Sequence, residues 1–247
     1  MIKHHPTSSV LTNFVAGELP ASVAVIVASH VELCEQCRAE VQLLTEQAAQ
    51  KAFDDTFMGE ALPGLQSDTP IEDDTFFKAF DFDSATVSHI TGIDAANMID
   101  AITEQPAQVN SALAHTVNEI EVSGTRIKLP RALKSIALRE WQGLGKLSRA
   151  RLALEDEELR ASLLHIDKGG SVPCHTHKGF EITLLLQGSF EDEMGTYRAG
   201  DFMWLDGEHT HQPVTKEGCV CLTVSSDAIH FTQGMSQLLN PIGRFIY

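Results

Sequence analysis

The 247-residue sequence predicts an α-plus-β protein of two domains, helical in front and all-β behind. Three observations carry that prediction. With 43% hydrophobic residues, the length suits two modest cores as well as one large one. Early apolar residues recur at helical spacing. From about residue 120 the chain breaks into short β-rich runs separated by Gly and Asp turns.

Taken in order, the first elements are helical. Leu19, Val23, Ile26, Val27 and His30 fall near one face at a 3.6-residue period, and Pro20 suits a first helical turn. "CRAEVQLLTEQAAQKAFDDTF" follows directly as a second helical run. "LPGLQSDTPIEDD", residues 62–74, has the Pro, Gly, Ser and Asp content of a linker. Over 75–110, "AANMIDAITE" suits a short helix and "FFKAFDFD" suits docking on either neighbour. The expected boundaries are therefore 1–110 for the helical domain, with its linker from about 62, and 111–247 for the β domain. "RASLLHID", "EITLLLQGSFED" and "CVCLTVSS" read as strands of a sandwich or barrel.

Composition narrows the setting. No run of about 18 apolar residues is present, and "SVAVIVAS" is too short to span a bilayer. That stretch follows Glu18 without a basic flank or a small-residue cleavage site, so no secretory signal is expected. A cytoplasmic location without membrane contact is the expectation. Five cysteines, an odd count with two close-spaced pairs, point to metal or redox chemistry rather than a disulfide framework. The net charge of −16 is lopsided: 17 acidic against 4 basic residues, −13, over 1–110, and 17 against 14, −3, over 111–247. Phosphate backbones repel such a front half, which argues against direct nucleic-acid binding, while a basic protein surface is attracted to it.

The first constellation is His30, Cys34 and Cys37 in "SHVELCEQC". On a continuous helix all three side chains project within a sector of roughly 60°. If the helix breaks near Leu33, a C-x-x-C turn still converges the two sulfurs. Either arrangement suits a tetrahedral Zn²⁺ with two thiolates and one imidazole, leaving one ligand to find, and "MIKHHP" offers His4 and His5. A thioredoxin-like role lacks its β-α-β context. In so small a helical unit the metal supplies much of the folding free energy.

The second constellation lies in "VPCHTHKGFEITLLLQG" and "DGEHTHQP". His175, His177 and Glu181 share strand parity, so they face one side, and His209 or His211 supplies a fourth ligand. Three imidazoles and a carboxylate accept Zn²⁺, Fe²⁺, Mn²⁺ or Ni²⁺, and the spacing does not choose among them. Cys174 adjoins this group. Cys219 and Cys221 stand two apart on a predicted strand, with Cα atoms about 6.5 to 7 Å apart, marginal for an unstrained disulfide.

These residues carry a resemblance. The pattern H-x-H-x3-E-x6-G from His175 to Gly188 resembles the first motif of the cupin β-barrels, and "GDFMWLDGEHTHQP" resembles the second. Asp206-Gly207-Glu208 replaces the common Pro-x-Gly turn, and the family's ligand matches His211, the residue before "QP". Together, "HHP…LTNFVAGELP", "VASHVELCEQCRAE", "IKLPRAL", "HTHKGFEITLLLQGSF" and "CVCLTV" make nearly the whole chain similar to the ChrR-type zinc-binding anti-sigma factors.

The resemblance implies a zinc-binding helical bundle followed by a cupin β-barrel. It implies His5, His30, Cys34 and Cys37 as zinc ligands, His5 being chosen by its separation of 25 residues from His30. It also implies His175, His177, Glu181 and His211 as ligands of Zn²⁺ or another divalent metal in the cupin. The implied partner is an extracytoplasmic-function sigma factor, held from RNA polymerase in the cytoplasm and released through the cupin on singlet-oxygen or organic-hydroperoxide stress. No enzymatic activity follows from it. An acidic front half would compete for the basic surfaces a sigma factor presents to DNA. Two alternatives remain: a dioxygenase-like metal-dependent cupin enzyme with an accessory zinc domain, and a zinc-folded adaptor for another protein.

Overall fold

The computed structural model describes residues 1–58, 103–104, 117–154, 156, 159–227 and 229–232. The linker expected over 62–74 and the elements expected over 75–110 lie outside these residues, Thr103 and Glu104 excepted. Met1–Asp54 and Ala114–Tyr247 form one compact unit, and Asp55–Leu113 a second. The first unit is described here.

Its front is helical. Helix α1, Ser8–Ala16, starts on Thr7, whose hydroxyl accepts the Val10 N–H. It stops at Gly17, where φ of +72° lets the chain turn back and the Gly17 and Glu18 amides reach the Phe14 and Asn13 carbonyls. Pro20 then precedes α2, Ala21–Leu33, where its missing N–H costs nothing. Ser22 N–H at the start of α2 donates to the Asp156 carboxylate at 2.8 Å, so a β-domain acid caps this helix. The helix does break at Leu33. Cys34 is extended (φ −105°, ψ 112°), and α3, Glu35–Met58, restarts at once. Arg38 bridges the break by donating to the Glu32 carbonyl at 2.8 Å.

The β-domain opens with the hairpin β1 (Glu119–Val122) and β2 (Thr125–Lys128), then a 3₁₀ turn at Arg131–Leu133. A larger antiparallel sheet follows, in the order β3 (Gln142–Leu144), β4 (Leu147–Arg151), β5 (Arg160–Ile166), β10 (Cys219–Ser225), β7 (Phe180–Asp192) and β8 (Gly195–Arg198). The long β7 also pairs with β9, Phe202–Asp206, through its first half. The short strands β6 (His175–His177) and β11 (Ile229–Phe231) form a separate ladder. Isolated bridges at His175 to His211, Ser171 to Val214 and Glu191 to Val214 link the remaining wall. Among the described residues the sheets therefore do not close into one hydrogen-bonded ring, in contrast to the barrel expected. Pro173 and Pro213 sit in that wall, and neither has an N–H to continue a ladder.

The central strands are buried on both faces, and strict alternation sorts their side chains. Ala161 and Leu163 of β5, Ile182 and Leu184 of β7, Phe202 of β9, and Leu222 and Val224 of β10 join one hydrophobic cluster with Leu11, Val23, Ile26, Val27, Cys34 and Cys37 of the helical segment. The described helices thus share one core with the outer face of the sheet. The opposite face carries Ile166, Leu185, Met203, Leu205, Cys219 and Cys221, which enclose the interior of the β-domain. Among the described residues no single helix is long and apolar enough to cross a membrane.

Candidate metal centres

The first centre gathers residues from three places. His30 comes from the last turn of α2, Cys34 from the break, Cys37 from the first turn of α3, and His5 from the extended segment ahead of α1. Each offers a ligand atom within 4.8 Å of the others. His5 Nδ1 lies 3.4 Å from each of the two sulfurs, and His30 Nε2 lies 3.3 Å from Cys37 Sγ. A tetrahedral Zn²⁺ with bonds of about 2.3 Å to sulfur and about 2.05 Å to nitrogen has N···S edges of about 3.5 Å, so the donor set fits that ion. His4 points elsewhere and packs its ring against Tyr197, with centroids 4.8 Å apart and planes tilted by 49°.

The electrostatics agree. Burial pushes the His30 pKa down to about 4, although the nearby Gly200 carbonyl pulls the other way, so the ring is neutral at pH 7. Its Nδ1–H donates to Gly200 O at 2.9 Å, which leaves the Nε2 lone pair for a cation. Burial, reinforced by Cys34, pushes the Cys37 thiol up to about 12. A Cys37 sulfur packed this way resists ionisation unless a divalent cation reverses the local balance, as a thiolate-binding metal does.

The second centre lies inside the β-domain. His175 and His177 project from β6, Glu181 from β7, and His211 from the wall bridged to β6; all four are buried. His175 Nδ1 donates to the Pro173 carbonyl at 2.7 Å and His211 Nδ1 contacts the Asp192 carboxylate at 3.2 Å. Both rings therefore turn their Nε2 atoms inward, where these meet at 3.1 Å. His177 Nε2 stands 3.1 Å from Glu181 Oε2, yet neither ring nitrogen of His177 makes a hydrogen bond. Buried polar atoms without partners are rare, and convergent imidazole lone pairs beside a carboxylate are what a cation satisfies. Burial alone would raise the Glu181 carboxyl, but His177 and then the other two imidazoles outweigh it and hold it below the usual carboxylate range. Burial also takes His175 down to about 4. His209, the alternative ligand, is exposed and pairs with Asp206 at 2.7 Å.

A cavity of about 30 Å³ adjoins this centre, lined by His175, Glu181, His211, Cys221 and Thr223 among others. That is room for one or two waters. Cys219 and Cys221 face the same interior, beside a register irregularity in the β10–β7 pairing. Their thiols are unequal: contact with Cys221 and the Thr215 hydroxyl lowers Cys219, whereas contact with Cys219, burial and Glu181 raise Cys221. Cys174 is buried and receives the Thr232 hydroxyl at 3.3 Å.

Sequence reading missed three contributors. Asp192 in "SFEDEMG" and Asp201 in "AGDFMW" look like turn formers, and both do cap turns, Asp192 accepting from Met194 and Gly195 and Asp201 from Arg198. Their second roles, toward His211 and toward the segment carrying His5, come from distant parts of the chain and leave no local signal. The Gly200 carbonyl leaves none either.

Comparison with known proteins gives a consistent result. Residues 131–228 match the family model described as the ChrR Cupin-like domain. The chain is 28% identical over 246 residues to the anti-sigma-E factor ChrR of Cereibacter sphaeroides, covering 98% of this chain and 99% of that protein. It also matches a chain in the crystal structure of Rhodobacter sphaeroides SigE in complex with the anti-sigma ChrR, at a TM-score of 0.55 and 25% identity, covering 91% of this chain and 99% of that one. The resemblance to ChrR-type anti-sigma factors is borne out, and a cupin-like β-domain follows front helices as expected.

Proposed function

We propose that this chain, a relative of ChrR along nearly its whole length, is an anti-sigma factor. It binds an extracytoplasmic-function sigma factor in the cytoplasm, keeps it from RNA polymerase, and frees it on singlet-oxygen or organic-hydroperoxide stress sensed through the β-domain. The observation that carries the reading is the similarity to ChrR over 98% of this chain, combined with two four-ligand clusters in the same molecule. His5, His30, Cys34 and Cys37 hold Zn²⁺ as a structural clamp on the helical segment. His175, His177, Glu181 and His211 hold Zn²⁺ or another divalent metal whose charge fixes four buried groups in one arrangement. The acidic balance of the front half supports a basic protein partner and disfavours direct contact with nucleic acid.

The Cys219–Cys221 pair is the candidate for the hydroperoxide branch. The Cys219 thiolate attacks the terminal peroxide oxygen; the O–O bond breaks, sulfur becomes the sulfenic acid, and the alkoxide leaves as an alcohol after taking a proton. The new oxygen crowds a packed interior shared with Cys221, which in turn lines a cavity with Glu181, and this gives oxidation a mechanical consequence. Full induction by both stresses in a Cys219→Ser, Cys221→Ser variant would remove the pair from this account.

The alternative of a cupin enzyme finds less support, because about 30 Å³ is far below the several hundred that small organic substrates require. The test is transcription in vitro from a promoter of the cognate sigma factor. Adding the metal-loaded chain should abolish sigma-dependent transcript and spare transcription by the housekeeping sigma. Undiminished transcript at a molar excess refutes the proposal.

A further inference from the structure

The extended segment that carries His5 has no helix or sheet of its own to hold it. Lys3 N–H and His4 N–H both donate to one oxygen of the Asp201 carboxylate, Oδ1, at 2.7 and 3.1 Å. The other oxygen accepts Arg198 N–H at 2.8 Å, and Asp201 is 2% exposed. Phe202 N–H closes the set by donating to the His4 carbonyl at 3.0 Å. Ile2 packs directly over Gly200, whose φ of +95° and missing side chain admit it. The same turn reaches the second histidine of the first centre, since Gly200 O accepts from His30 Nδ1 and the Phe202 ring meets the His30 ring edge-on at 5.6 Å. Two of the four ligands are thus held by three consecutive residues of the β-domain, Gly200, Asp201 and Phe202.

We propose that residues 200–202, the end of the β8–β9 turn and the first residue of β9, are a wall of the first metal centre, with Asp201 the positioning residue for His5 and the Gly200 carbonyl the orienting group for His30. This rests on the reading that the four ligands hold a metal. The β-domain then sets the metal affinity of a centre to which it gives no ligand. It also has a route by which to change it. Phe202 and Met203 are neighbours on β9 and face opposite sides, Phe202 against His30 and Met203 in the lining of the cavity beside the second centre. A movement of β9 at the inner face displaces the wall of the outer one.

The experiment uses the full chain stripped of metal and titrated with Co²⁺, then with Zn²⁺ against a competing chelator. Thiolate-to-cobalt absorption reports the first centre, because the second has a donor set of nitrogen and oxygen. Asp201→Ala should weaken metal binding there by about 10- to 100-fold, the usual effect of losing an outer-sphere partner. At saturating Co²⁺ it should keep the thiolate band but take on the ligand-field spectrum of His5→Ala. It should add nothing further in the His5→Ala background. Asp201→Asn, which keeps an oxygen for Lys3 and His4, should restore most of the affinity. Thr215→Val removes a buried turn hydrogen bond, to Ser189 O at 2.6 Å, elsewhere in the β-domain and should leave the first centre at wild-type affinity. Wild-type affinity in Asp201→Ala, an additive loss with His5→Ala, or an equal loss in Thr215→Val would overturn the proposal. Absence of any thiolate band in the wild type would instead sink the metal-centre reading itself.

Discussion

Replacing Ile26 with alanine tests the claim that the described helices and the sheet share one core. Ile26 is 0% exposed on the inner face of α2 and belongs to the cluster that holds Leu163, Ile182, Leu184, Leu222 and Val224. The substitution removes three carbons, at about 0.8 kcal/mol each from lost burial, or about 2.4 kcal/mol. The gap sits between a helix anchored by Asp156 and Gly200 and a sheet buried on both faces, so relaxation is limited and the cavity adds about 1 kcal/mol. The total is about 3 to 4 kcal/mol. Urea unfolding of the metal-loaded chain should show it as a shift of about 1 M for a slope of about 3 kcal/mol per M. Helical circular dichroism reports the front, and Trp141 and Trp204 fluorescence reports the β-domain. Both signals should move together. A cost below about 1 kcal/mol, or a helical transition that shifts while the tryptophan transition stays, would refute the shared core.

The remaining predictions concern the metals. His177→Ala should cut bound metal from two ions per chain to one while leaving the thiolate-to-cobalt band intact; loss of both ions would contradict the independence of the two ligand sets. Asp192→Asn should weaken the second centre by about 10- to 100-fold in chelator competition, because His211 loses the carboxylate that orients it; unchanged affinity would contradict that role. In excess chelator, stability should fall as pH drops from about 6.5 to about 4. His30 and His175 stay neutral in the fold down to about 4 while the unfolded chain takes up protons from 6.5 downward. His175 alone contributes about 3 kcal/mol across that window, so a flat urea midpoint between those pH values would contradict the burial argument.

The gathering of both sets of side chains was legible because histidine and cysteine at ligand spacing are informative wherever the chain places them. His30, Cys34 and Cys37 converge whether or not the helix continues, so the break at Cys34 did not disturb the reading. The choice between His4 and His5 lay beyond local pattern. Adjacent residues of an extended segment face opposite ways, and Asp201, nearly 200 positions away, decides which one faces the sulfurs. The packing of the helices was hidden for a related reason. "CVCLTVS" is buried on both faces, and its lack of charged residues indicates that each face is covered without showing by what. The open wall near His211 follows from two prolines whose effect on hydrogen bonding depends on which strands meet there.

The most direct measurement is the affinity of the full, metal-loaded chain for the sigma factor proposed as its partner, by calorimetric titration, beside a variant with His30, Cys34 and Cys37 all replaced. The account predicts a one-to-one complex with the native chain and its loss in the variant, and the same loss after the native chain is stripped by chelator. Equal binding by native, stripped and substituted chains would contradict the claim that a metal-clamped helical segment captures the sigma factor.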